Sequence, residues 1–372
     1  MPKPIFFYSD TFVNYDMGEQ HPMKPERLYK TCELLQSYGV FDEAIEHRSP
    51  SPATAAEVIK THHPNFVTAV ESVSAGIHMP GIHRYGLGGG DNPIFAGMYE
   101  ASLLYTGGSI DAAQAVMDGA NIAFNIAGGL HHAHYDRAAG FCVFNDCAIA
   151  IHRLRQKFRK VAYIDIDVHH GDGVQELFYD DPTVLTVSLH ESGRTLFPGT
   201  GFVHEVGMGE GEGYSINLPF VPYTTDEVWL SAWRESVLPI LKAFEPEAIL
   251  LQMGADAHLR DPLAHICLSA QGWLAAIQDV MALGVPIVAV GGGGYNMTTV
   301  PRMWTLAVGT LSGLSLSDEV PKSYTYQPEM PTLTDHFDIE LPPKEADKMR
   351  NFAEDSVQEI KSRLFSVFGL TK

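Results

Sequence analysis

The chain has 372 residues, 45% of them hydrophobic, and 25 Lys and Arg against 45 Asp and Glu give a formal net charge of −20. This is enough apolar material for a sizeable core in one large domain or two ordinary ones, and the acidic balance disfavours nucleic acid and acidic membrane surfaces while favouring cationic partners such as a lysine-bearing protein or a polyamine. No apolar run approaches membrane-spanning length, and Cys32, Cys142, Cys147 and Cys267 lack Cys-x-x-Cys spacing, which argues against a disulfide frame or a thiolate zinc site.

The opening residues carry no apolar leader or cleavage site, so a cytoplasmic protein is expected. Residues 5–8 read as a short strand, and after a polar loop Pro25 suits the first turn of a helix that Gly39 stops. Residues 54–75 read as two short helices broken at Pro64. A glycine-rich loop over 85–93 and a small-residue helix near 97–118 follow. No repeat, low-complexity tract or Pro/Ser-rich linker appears, which favours one domain over residues 1–372.

From residue 121 the pattern becomes rhythmic: a short apolar run, a polar signature, then a helix. The runs at 123–127, 161–166, 184–189, 248–253 and 286–290 read as strands, with helices at 145–158, through 178, and after Ser269, a capping residue. Strands alternating with helices imply a mainly parallel sheet covered on both faces, so the strands' carboxyl ends gather on one edge. The tail, 343–368, has helical periodicity.

Polarity inverts most sharply after the run at 161–166, in Asp165-Ile166-Asp167-Val168-His169-His170-Gly171-Asp172-Gly173. Side chains alternate along an extended segment, so Asp165, Asp167 and His169 share a side. Asp167 and His169 from this strand end, with Asp256 from another, make a donor set of two carboxylates and one imidazole. Oxygen and nitrogen donors without thiolate suit Zn²⁺ and would also accept Fe²⁺ or Co²⁺, and three protein ligands leave positions open for water and substrate. His131 and His132, on a glycine-preceded loop, are candidates for proton transfer, serving as the base for water and the acid for a leaving amine. Asp165 and Asp172 can each accept the other ring N–H of one of these histidines. Tyr295, after four glycines, is a phenol placed to donate to an oxyanion. Those glycines lack the spacing of a phosphate loop.

Seven segments, His21-Pro22-Met23-Lys24-Pro25-Glu26-Arg27, Gly128-Gly129-Leu130-His131-His132-Ala133, Gly140-Phe141-Cys142, the Asp165 to Gly173 stretch, Phe197-Pro198-Gly199-Thr200-Gly201, Gly254-Ala255-Asp256 and the glycines before Tyr295, resemble in order and spacing the signatures of the zinc-dependent histone deacetylase family. Class I enzymes and bacterial acetoin-utilisation deacetylases are the nearest in look, over a core of about residues 5–310. The resemblance implies the arginase/deacetylase fold, a single α/β domain, and hydrolysis of an acyl-amide in an acyl-lysine protein or small acylated amine. It assigns Asp167, His169 and Asp256 to zinc, His132 as general base and acid, His131 as its electrostatic partner, and Tyr295 to the oxyanion. It implies a tunnel at Gly140, walled by Phe141 and Phe197, with Leu263 at the rim and Asp91 holding substrate backbone. It also implies structural potassium at Asp165, Asp167, His169, Ser188 and Leu189, and a second monovalent site at Phe178, Asp181, Val184 and Tyr214. The alternatives are acetylpolyamine hydrolysis, a ureohydrolase with two manganese ions, and a non-catalytic acyl-lysine binder.

Overall fold

The apolar runs become the inner strands of one eight-stranded sheet. In the computed structural model, which describes residues 3–337, 339 and 341–371, the strands are β1 (Ile5–Phe7), β2 (Glu46–Arg48), β3 (Ile122–Asn125), β4 (Val161–Asp165), β5 (Val184–Glu191), β6 (Ser215–Phe220), β7 (Ala248–Gln252) and β8 (Ile287–Val290). Their order is β2-β1-β3-β8-β7-β4-β5-β6, and every neighbouring pair is parallel, so the sheet is wholly rather than mainly parallel. The first two residues of the chain's opening stretch lie outside the described residues.

Burial on both faces explains why the inner strands read as continuous apolar runs. Along β4, Ala162 and Ile164 join Leu185, Val187, Ile249 and Leu251 in one core layer. Val161 and Tyr163 join Val184, Ala248, Leu250 and Val288 in the other. The helices Met98–Met117 and Asp146–Leu154, the first rich in small residues, pack closely together beside the sheet. The helix Glu26–Ser37 packs against Thr299–Leu311, which carries the buried Arg27 towards the middle of the sheet.

Several expected boundaries hold: a helix begins at Pro64, Ser269 accepts the Gly272 N–H at 3.0 Å, and Pro343–Leu364 is helical, followed by a 3-10 turn over Phe365–Phe368. The helix expected over 145–158 is shorter, Asp146–Leu154 with Asn145 as cap, and the one expected through Phe178 ends at Leu177. Strands β2 and β6, and the helical stretch from Asp226 to Phe244, have no counterpart in the sequence reading. β2 is exposed and charged, and β6 alternates polar with apolar residues at the sheet's edge, where Pro343–Leu364 packs on it.

Register creates the site. Asn125, Val290, Gln252, Asp165, Ser188 and Asn217 are successive partners in one row across β3, β8, β7, β4, β5 and β6. Below this row the sheet interior is mostly apolar, Thr186 and Ser215 being exceptions; at it, five of the six residues are polar and buried. The chain leaves β3, β8, β7 and β4 just beyond, at the strands' carboxyl ends, where open α/β sheets bind ligands.

Candidate active site and metal centre

Backbone hydrogen bonds aim the carboxylates at the end of β4. Asp165 Oδ1 accepts the Asp167 N–H at 3.1 Å, and Asp167 Oδ1 accepts the His169 N–H at 3.0 Å, two successive turns in which an Asp side chain bonds the backbone two residues on. Asp167 Oδ2 accepts the Gly293 N–H at 2.7 Å, and Asp256 Oδ1 accepts the Val168 N–H at 2.8 Å, locking the β4, β7 and β8 loops together. The Trp273 and Trp304 indoles donate to the carbonyls of Gly254 and Met253 at 2.8 and 2.7 Å, so two fully buried rings hold the loop that carries Asp256.

Asp167, His169 and Asp256 are buried, with one ligand atom from each lying within 4.8 Å of the others. His169 Nδ1 is 3.1 Å from both Asp167 Oδ1 and Asp256 Oδ2. Burial opposes ionisation of Asp167, but the His131 and His169 imidazoles outweigh it and hold the carboxyl well below its usual range. Burial and the neighbouring Asp167 charge push Asp256 up to about 7. Two like charges confined in an apolar interior are relieved by a cation between them. The donor set, mixed oxygen and nitrogen with three protein ligands, fits an open divalent-metal site.

Beside this group stand two His–Asp pairs. His131 Nδ1 lies 2.7 Å from Asp165 Oδ2, His132 Nδ1 lies 2.7 Å from Asp172 Oδ1, and the two Nε2 atoms are 3.1 Å apart. For His131, burial is outweighed by the charges of Asp165 and Asp167, which raise it to about 9. Burial and the adjacent His131 lower His132 to about 4 despite Asp172. These shifts agree with the geometry. A cationic His131 donates from both nitrogens, to Asp165 and to His132, while a neutral His132 donates through Nδ1 to Asp172 and keeps a lone pair on Nε2.

Tyr295 completes the cluster, its ring edge-on to His169 at 6.4 Å between centroids. Its N–H donates to Asp261 Oδ2 at 2.7 Å. Burial, then the charges of Asp256 and Asp167, push its phenol well above the usual value, so it remains a donor at neutral pH. A Cβ at Gly293 would come 2.0 Å from Asp256 Oδ2, which is why the chain reaches Tyr295 through glycine.

The histone deacetylase domain model matches residues 21–311. The chain belongs to the histone deacetylase family. It is 40% identical to the acetoin utilization protein AcuC of Bacillus subtilis over 334 residues, 87% of this chain and 86% of that one. It is 38% identical to the histone deacetylase clr6 of Schizosaccharomyces pombe over 323 residues, 86% of this chain and 79% of the other. A solved structure of an HDAC homologue from Aquifex aeolicus superimposes with a TM-score of 0.88 at 32% identity, over 97% of this chain and 100% of that one.

In this deacetylase-family chain the residues expected to wall a tunnel also meet at the site. Phe197, 44% exposed, packs edge-on against His132 with centroids 5.0 Å apart, and Phe141 packs likewise against Tyr295 at 5.7 Å. A Cβ at Gly140 would lie 2.3 Å from the His132 ring and 2.9 Å from that of Phe197, so glycine is required for this close approach. Phe141 adopts φ 69°, a left-handed conformation costly for a bulky residue, and its carbonyl accepts from the Tyr15 hydroxyl at 2.7 Å. Asp91 is exposed; its carbonyl meets His21 Nε2 at 3.3 Å, and His21 packs on Phe141. Leu263 donates its N–H to Asp261 Oδ1 at 3.0 Å, on the loop that holds Tyr295.

Of the residues expected at monovalent sites, Asp165 at the end of β4 and Ser188 in β5 are register partners, Leu189 follows Ser188 in β5, and Asp167 and His169 lie on the loop after β4. Phe178, Asp181 and Val184 form a separate turn leading into β5, in which the Asp181 N–H donates to the Phe178 carbonyl at 3.1 Å and the Val184 N–H to the Asp181 carbonyl at 3.3 Å. Tyr214 lies beside β5, its carbonyl accepting from Thr186 at 3.0 Å.

Four residues without an individual role in the sequence reading also shape the site. Gln252 donates to Asp167 Oδ2 at 2.8 Å, and the Tyr163 hydroxyl to Asp165 Oδ2 at 2.6 Å. Asp146 accepts the N–H groups of Gly129 and Leu130 at 3.0 and 2.8 Å, holding the loop before His131. Arg27 donates to the Gly292 and Gly294 carbonyls at 2.6 and 3.2 Å, ordering the approach to Tyr295. A buried polar residue closing an apolar run, as Gln252 does, is the signal that could have found the first of these.

Proposed function

We propose that this chain is a zinc-dependent amide hydrolase that removes the acyl group from acyl-lysine in proteins. What carries this reading is the convergence of the buried Asp167, His169 and Asp256 donors with two His–Asp pairs and a protonated phenol. Membership of the histone deacetylase family supports the reaction class.

Asp167, His169 and Asp256 would hold the ion. When bound, it would supply Lewis-acid polarisation and neutralise charge at the scissile carbonyl. His132, neutral and held through Nδ1 by Asp172, takes a proton from the attacking water at Nε2 and returns it to the departing amine nitrogen, so one imidazole acts as base and then acid. His131 remains cationic on Asp165 and acts on His132 as a neighbouring charge, leaving the Nε2 lone pair of His132 to the water. Tyr295 O–H donates to the oxygen that gains charge in the transition state. Phe141 and Phe197 enclose the apolar stem of the acylated side chain and keep bulk water from the reacting bond. Amide and water become carboxylate and protonated amine.

Substrate class is tested by assaying the purified, zinc-loaded protein against acylated lysine peptides and acylpolyamines. The reading expects faster hydrolysis of the peptides. Because a net charge of −20 also favours small cationic substrates, preference for acylpolyamines would move the assignment to that branch. No hydrolysis of either would overturn it.

A further inference from the structure

Asp172 has two imidazole partners, and the proposed chemistry uses one. Its Oδ1 faces His132 Nδ1 at 2.7 Å, while its Oδ2 lies 3.4 Å from His134 Nε2. His134 Nδ1 in turn meets Glu176 Oε2 at 2.5 Å. Asp172 and Glu176 stand four residues apart on the helix Asp172–Leu177, so both carboxylates face the same ring. The row from His132 through Asp172 and His134 to Glu176 thus leads from the buried site to a half-exposed carboxylate. It ends in a groove of about 750 Å³ beside Phe197.

The position of His134 is fixed independently of these contacts. Its N–H donates to the Arg137 carbonyl at 2.9 Å. Its carbonyl accepts at 2.8 Å from Nδ1 of His62, whose Nε2 accepts the Asn145 N–H. The charged and titratable groups around the ring are Asp172 and Glu176 from the helix, Asp136 and Arg137 from its own loop, and His62 behind it. Burial would lower His134, but its hydrogen bonds to the two carboxylates outweigh it and raise it to about 9. At neutral pH both ring nitrogens therefore carry protons, one donating to Glu176 and the other paired with Asp172 Oδ2 at 3.4 Å. Asp172 is held well below its usual range, because His132 and His134 together outweigh its burial.

We propose that His134 is a positioning residue for His132: as a cation paired with Asp172 Oδ2, it fixes that carboxylate with Oδ1 turned to His132 Nδ1, and Glu176 fixes His134. Without it, Asp172 has a second oxygen free to turn towards the groove, and the orientation of His132 loosens. This rests on the reading of His132 as the proton carrier. The residue acts through Asp172 and touches no reacting atom.

The test compares His134→Ala, His134→Lys and Glu176→Gln in the full-length, zinc-loaded chain by two readouts. One is steady-state hydrolysis of an acyl-lysine peptide; the other is the low-field proton resonance of His132 Nδ1–H, assigned by its loss in His132→Ala. His134→Ala should lower kcat about 10-fold with KM unchanged, and should shift or broaden the resonance. His134→Lys, which keeps a cation beside Asp172, should recover most of both, and Glu176→Gln should fall between. Wild-type kcat with an unmoved resonance in His134→Ala, or no recovery in His134→Lys, would overturn the proposal. If His134→Ala does not fold, the position of Glu176→Gln between wild type and inactive protein decides the matter. If the wild-type chain hydrolyses no acyl-lysine peptide, the functional reading fails, while the resonance comparison still decides the positioning role.

Discussion

The side-chain amide of Gln252 donates to Asp167 Oδ2 at 2.8 Å, on the oxygen that also accepts the Gly293 N–H. Its own Oε1 accepts the Gly254 N–H at 2.7 Å, so the amide cannot rotate away. Partners that orient a metal ligand typically matter by about 10- to 100-fold in metal affinity. Gln252→Ala should weaken zinc binding by that amount with the fold retained, measured by competition with a chromophoric chelator. Unchanged affinity would reduce Gln252 to a space-filling role.

Tyr295→Phe separates oxyanion donation from binding. The phenol makes its proposed contact fully only in the transition state, so kcat should fall about 100-fold or more while KM and zinc content stay near wild type. Near-wild-type turnover with zinc retained would count against this role.

The tunnel is tested by inhibitor length. If Phe141 and Phe197 enclose an apolar tube, a hydroxamate on a linear aliphatic linker should inhibit far better than acetohydroxamate, since its linker fills the tube while its head chelates the ion. Equal potency would mean that the two rings line an open surface.

Acid stability bears on how the loop after β7 is anchored. Asp335 accepts from Arg302 Nη2 at 2.9 Å and from the Ala270 N–H at 2.7 Å, and its Oδ2 lies 2.9 Å from His258 Nε2, two residues past Asp256. Burial opposes its ionisation, but the His258 hydrogen bond and the other partners outweigh it and hold the carboxyl below its ordinary range. A depressed folded value means the stabilisation is fully present above about pH 4 and is lost as the pH falls below that. Asp335→Ala should therefore cost about 3 kcal/mol in urea unfolding at neutral pH, a gap that narrows towards pH 3. A gap independent of pH would mean that lost packing, not charge, is the cause.

The Asp165 to Asp172 stretch was legible because charges crowded at the end of a buried apolar run have no solvent to explain them. The histidine pair and Tyr295 were legible because glycines beside them mark close backbone approach. Gln252 and Tyr163 were not: each is a single uncharged residue within or closing an apolar run; Tyr163 meets Asp165 two residues on along the same strand, and only the pairing of β7 with β4 brings Gln252 to Asp167. The same register, with β8 between β3 and β7, is a long-range pairing that no local pattern encodes. Edge strands β2 and β6 escaped notice because β2 is exposed and polar throughout and β6 alternates polar with apolar residues, so neither reads as the continuous apolar run of an inner strand. His134 carries no local signal in the sequence, and only the fold sets it between two carboxylates.

The central claim is that Asp167, His169 and Asp256 hold one catalytic ion. Elemental analysis of the active protein, repeated after chelation and after zinc is returned, tests it most directly. One divalent transition metal per chain is predicted, with deacylation lost on its removal and regained on its return. Two such metals per active chain, or full activity in the stripped protein, would contradict the account.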